Sequence, residues 1–132
     1  MAEPEDVVRA SIRAFDDADW EALEALWDPD GVIVAPHAWP EGEERSGWPE
    51  ICAQFQRIKA DWAEDHMIVE ELGEVRPGVL LTRLRWTVTG AASGVPLEVL
   101  LWMVATVRDG RYVRAEYFQE EEPARAVAEG RP

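Results

Sequence analysis

The stretch PLEVLLWMVATV, residues 96–107, is apolar on both of its faces. In an extended chain successive side chains point to opposite sides. Val99, Leu101, Met103 and Ala105 therefore line one face, and Leu100, Trp102 and Val104 the other. A strand of this kind needs cover on both sides. One face must meet the helices of the domain. The other requires a further layer, and a second subunit seated on the sheet is the simplest source of it. Asp109-Gly110 follows directly and is the strongest hairpin signal in the chain.

The neighbouring segments extend that hairpin into a meander. Strands are expected over about 66–75, 79–89, 97–107 and 111–119, broken by Arg76-Pro77-Gly78 and by GAASGVP at 90–96. Upstream, Pro4, Glu5 and Asp6 suit a helix start, and Val8, Ile12 and Phe15 recur at helical spacing, so a first helix is expected from Pro4 to Ala18. Asp19 can cap a second helix with Trp20, Leu23, Leu26 and Trp27 on one face. DPDG (28–31) reads as a turn and VIVA (32–35) as a strand, while PHAWPEGEERSG is too rich in proline, glycine and charge to be regular. A third helix begins near Pro49, with Ile51, Phe55, Ile58 and Trp62 in one stripe. EEEPARAVAEG ends the chain as a short helix or frayed tail. Helices followed by a meander give an α+β class with an antiparallel sheet.

The 132 residues suffice for one core, and a single domain over 1–132 is expected. A net charge of −14 argues against nucleic acid and anionic membrane surfaces as partners. Cys52 is the only cysteine, which excludes an internal disulfide, and its place between Ile51 and Phe55 suits a small core residue. MAEPEDVVRA carries acids where a secretion signal needs bases, so a cytoplasmic location is expected. The chain carries seven tryptophans, more than a small core hides easily, and some should line a cavity or an interface.

Three stretches, VVRASIRAFDDADWEALEALWDPDGVIVAP, RSGWPEICAQFQRIKADW and TVRDGRYVRAEYFQEEEPARAVAEG, resemble in order the SnoaL-like branch of the nuclear-transport-factor-2-like superfamily. The resemblance implies a cone-shaped α+β barrel in which three N-terminal helices pack on a curved, mostly antiparallel sheet around one apolar pocket. It also implies dimerisation through the outer sheet face, here Leu100, Trp102, Arg114, Glu116 and Phe118. Fold alone does not fix function. Where ketosteroid isomerases of this superfamily hold a base aspartate, the chain has Ala35. Their oxyanion tyrosine falls near Ser11 and their protonated aspartate near Leu101 or Met103, so that mechanism is lost. The acid of SnoaL-type cyclases falls near Glu116, whose parity points it outward. An Asp–Arg–Asp set of the epoxide-hydrolase kind is not evident around Arg83 or Arg85.

His37 remains the best-placed proton acceptor, two residues past the missing base, with the alternative that it is an idle loop residue at the rim. Tyr117 and Gln119 share the inward parity of Val113 and Ala115 and would anchor a carbonyl or enolate oxygen. Phe15, Trp27, Ala35, Trp39, Phe55 and Trp62 are expected as ligand-binding walls, with Val99, Leu101 and Met103 on the strand. Two histidines without a placed carboxylate give no metal site, and no cofactor is expected. The expected function is binding of a hydrophobic molecule, aromatic or polycyclic, with isomerase, cyclase or dehydratase chemistry by proton transfer. A non-catalytic carrier or sensor, and a dimeric interaction module with a self-filled cavity, stay open as alternatives.

Overall fold

A computed structural model describes residues 3–36 and 44–131. Its elements run α1 (Pro4–Asp16), α2 (Trp20–Ala25), β1 (Trp27–Val34), β2 (Glu44–Ser46), α3 (Trp48–Ala60), β3 (Trp62–Arg76), β4 (Val79–Gly90), β5 (Pro96–Arg108), β6 (Arg111–Phe118) and α4 (Glu121–Ala128). The strands form one six-stranded sheet in the order β2-β1-β6-β5-β4-β3. The expected meander supplies β3 to β6, all antiparallel, and β1 joins its far edge parallel to β6. Register shifts at three places along β3 let the long edge strand bend with the sheet. Helices α1 and α3 fill the concave side, and the fold is the α+β cone expected from the sequence. Among the described residues no helix is long and apolar enough to cross a membrane.

Pro4 opens α1 with Glu5 and Asp6 in its first turn, as the helix dipole favours. The helix stops two residues short of the expected Ala18, because Ala18 takes a positive φ of 53° and returns the chain to Asp19. Asp19 then caps α2 by accepting a hydrogen bond from the Ala22 amide at 3.1 Å.

Three sequence expectations need correction. Trp27 does not close the apolar face of α2 but begins β1, where it pairs with Tyr112. The turn chemistry of DPDG survives inside that strand as an irregularity: the Asp30 amide donates to the Asp28 carboxylate at 2.8 Å, and the register shifts between Trp27 and Val32. Gly31 is required there, since a Cβ would lie 2.7 Å from the Trp27 ring. Trp62 likewise leaves the α3 stripe. The helix ends at Ala60, and Trp62 starts β3 opposite Gly90, because strand pairing outweighs the helical periodicity. Finally, Glu44–Ser46 forms a short edge strand within a segment expected to be irregular.

The doubly apolar β5 is covered on its inner face along the core and on its outer face at one end. Leu101, Met103 and Ala105 enter the main core, while Val104 joins a second cluster with Val79, Leu81, Ala124 and Ala128. The C-terminal helix therefore lies on the outer face, which the sequence had left without a helix to cover it. Ala124 and Ala128 are 0% exposed, and their small side chains allow the close approach. Arg76 donates to the Ala128 carbonyl at 2.7 Å and fixes the helix end.

Candidate functional site

Between the concave sheet and helices α1 and α3 lies a cavity of about 660 Å³ with its open mouth counted, of which about 60 Å³ can hold the centre of a water molecule. It is a narrow slot. Its walls are apolar, aromatic and aliphatic together, set by helix spacing on one side and strand alternation on the other. Phe15 from α1 meets Phe55 from α3 edge-on at 5.3 Å and Trp86 from β4 at 6.4 Å. Trp27 continues the wall, 6.4 Å from Phe55 and 5.0 Å from Tyr112. Leu101, Ile33 and Ala35 fill the strand side.

Four polar side chains face this slot: Ser11, Gln54, Tyr112 and Tyr117. Ser11 Oγ donates to the Val8 carbonyl at 2.8 Å and lies 2.6 Å from the Tyr112 hydroxyl. Burial pushes the Tyr112 phenol above the ordinary tyrosine range, opposed by the Ser11 hydrogen bond and reinforced by nearby Tyr117. Burial likewise raises Tyr117, although the residue keeps part of its surface open. Both phenols stay neutral at physiological pH, able to donate hydrogen bonds but not to serve as bases. No charged side chain among the described residues lines the slot.

Charges stand behind the wall instead. Lys59 Nζ sits 4.5 Å from the Phe15 ring centroid and 2.8 Å from Asp65. Asp65 also accepts the Trp86 indole N–H at 3.0 Å, so that donor is already engaged. On the rim of this group, exposed His66 meets Asp16 at 2.6 Å. No group of three or more metal-ligating side chains occurs among the described residues.

Of the residues expected to form the site, Phe15, Trp27, Ala35, Phe55, Leu101 and Tyr117 line the slot. His37 and Trp39 lie outside the described residues. The remaining four are elsewhere, each for a physical reason. Met103 is wholly enclosed in the core. Val99 pairs with Trp86, whose indole forms the wall at that level. Trp62 stacks edge-on behind Trp86 at 6.0 Å. Gln119 is exposed, because β6 ends at Phe118 and its alternation goes no further.

Tyr112 and Gln54 were not expected. A register shift in the β5–β6 hairpin pairs Val107 with Tyr112 and Thr106 with Arg114, which skips Val113 and turns Tyr112 inward in its place. Gln54 lies three residues after Ile51 and next to Phe55, on the buried side of α3, and its position on that face was the available signal. Glu116 pairs with Val104 and Arg114 on the outer face, as its parity implied. Arg85 pairs with Glu70 and Glu98, and Arg83 with Glu70, all on the outer side of the sheet.

No curated protein matches this chain. Solved structures do. A loop-truncation variant of IdmH is 27% identical over 87% of this chain and 91% of its own, with a TM-score of 0.77. Wild-type IdmH of Streptomyces antibioticus, a polyketide-cyclase-like protein, is 23% identical over 97% and 98%, with a TM-score of 0.79. TerC, crystallised with polyporic acid, is 20% identical over 96% and 99%, again at 0.79. The profile of the SnoaL-like domain matches residues 8–115, which run from α1 into β6 and include every described lining residue of the slot except Tyr117, and the chain belongs to this family.

Proposed function

We propose that this chain, as one domain over its full length, binds a neutral, hydrophobic, aromatic molecule in the slot. The observation that carries this reading is the lining itself: aliphatic walls with four aromatic rings set among them, two neutral phenols, a serine hydroxyl and one amide, with no charge among the described residues. Such a site gains from burying apolar rings and penalises a charged ligand that finds no counter-charge. The co-crystallisation of TerC with polyporic acid and the polyketide-cyclase-like character of IdmH support a ring-bearing ligand.

Proton-transfer chemistry of the cyclase, isomerase or dehydratase kind adds two roles. Tyr117 donates a hydrogen bond to a carbonyl oxygen as negative charge develops there. His37, which follows the slot-lining Pro36 in sequence, is the base. A carrier without catalysis is the second reading, favoured by the lack of a base among the described lining residues.

The test is titration of the protein with hydrophobic ketones and phenols, followed by tryptophan fluorescence and by NMR of His37 in a His66→Ala background. Saturable binding is expected, with loss of affinity for ligands that carry a carboxylate. A His37 pKa that moves with ligand supports the catalytic reading, and one that ignores every ligand leaves the carrier. No binding by any member of the panel overturns the pocket reading altogether.

A second copy of the chain is the proposed cover for the rest of the outer sheet face. Ile68 on β3, Arg85 on β4 and Leu100 on β5 stand in one cross-strand row, with Ile68 44% and Leu100 43% exposed beyond the reach of α4. Arg85 is held between Glu70 at 2.6 Å and Glu98 at 3.4 Å, which gives this row two apolar ends around a compensated charge.

A further inference from the structure

The polar groups of the slot are unequally engaged, and the imbalance specifies what a ligand must carry. Ser11 has one hydroxyl proton and directs it to the Val8 carbonyl. In the 2.6 Å contact the serine oxygen therefore accepts, and the Tyr112 proton is committed to it. The Trp86 indole N–H is committed to Asp65. Gln54 differs from all of these. It is 1% exposed, lines the slot, and its Oε1 has no hydrogen-bond partner among the described residues.

A buried amide oxygen without a donor is unfavourable, and native interiors rarely keep one. An apolar side chain of the same length would pack there without that cost. Resting on the reading of the slot as a neutral aromatic site, we infer that Gln54 is a specificity-determining residue that accepts a hydrogen bond from a hydroxyl on the ligand. The preferred ligand class is then the ring-bearing alcohols, phenols and enols, and their methyl ethers are disfavoured. An ether keeps the ring and its area but brings no proton, so Gln54 Oε1 stays unpaired when it binds. Discrimination by such a site comes from the unpaired group left behind.

The test compares 2-naphthol with 2-methoxynaphthalene by calorimetry on the wild-type protein and on Gln54→Met. Methionine keeps the length of the side chain without its polar atoms, and thermal unfolding of the variant confirms that it folds. Binding of 2-naphthol about tenfold tighter than the ether is expected in the wild type, with the two within about twofold in the variant. Equal affinities in the wild type overturn the inference and leave the pocket reading intact. So does a preference that persists in Gln54→Met, which would trace it to the size of the methyl group. Failure of both probes to bind the wild type counts against the pocket reading and this inference together.

Discussion

Tyr112 donates its hydroxyl proton to Ser11 across 2.6 Å, although the two residues are 101 positions apart. The bond fastens the second strand of the hairpin to the first helix at the polar side of the slot. Its direction, fixed by the Ser11 bond to Val8, makes the two ends unequal. Ser11→Ala leaves the Tyr112 hydroxyl buried without an acceptor, at a cost of about 1–3 kcal/mol. Tyr112→Phe removes the proton while Ser11 keeps its carbonyl partner, and costs about 1 kcal/mol. Urea denaturation of both single variants and the double variant measures the difference. A Ser11→Ala variant no less stable than Tyr112→Phe would reverse the assigned direction.

Tyr112 and Tyr117 are the only tyrosines in the chain, and burial raises both phenols above their ordinary range. In the unfolded chain each loses its proton near pH 10, whereas the folded chain holds it to higher pH. Above that point the unfolded state binds fewer protons, so stability falls as pH rises. Below about pH 10 the contribution is complete and stability is flat with respect to these groups. An alkaline titration followed by phenolate absorbance should therefore show no ionisation until the far-ultraviolet circular dichroism of the fold is lost. A phenolate that forms at ordinary pH in the folded protein would mean that its hydroxyl is open to water, and would remove it from the enclosed slot.

How much of this was legible in the sequence depended on whether local pattern and long-range pairing agreed. They agreed along β5, where two apolar faces called for two layers of cover, and at Asp109-Gly110, where a positive φ of 54° at Asp109 and 77° at Gly110 makes the turn. They disagreed at Trp27 and Trp62. Both continue a helical stripe in sequence, and both are claimed by a strand partner, Tyr112 or Gly90, that no local window contains. The inward side of β6 was legible at Ala115 and Tyr117 but not at Tyr112. One skipped residue in the hairpin exchanged it with Val113, and alternation carries no mark of such a skip. Gln54 was hidden for a different reason. A polar residue on an apolar helix stripe reads as a break in the stripe, and only its burial next to Phe55 places it in the slot lining. The second cover for β5 was misjudged in part, since α4 provides it at one end through Ala124 and Ala128.

The uncovered end of that face gives the last prediction. Ile68, Arg85 and Leu100 form a row on the outer surface, and Trp102 in the next row is stacked by Arg83 at 5.5 Å. An exposed apolar row with its arginines already ion-paired can be buried against a second copy without stranding charge. Leu100→Glu adds an unpaired carboxylate beside Glu70 and Glu98, which Arg85 already serves, and like charges meet across a two-fold axis. Sedimentation equilibrium should give twice the chain mass for the wild type and the single-chain mass for Leu100→Glu. Binding of 2-naphthol should be unchanged in the variant, because the slot opens on the other side of the sheet. A wild-type protein that sediments at the single-chain mass at every concentration would remove the second copy as the cover of this face.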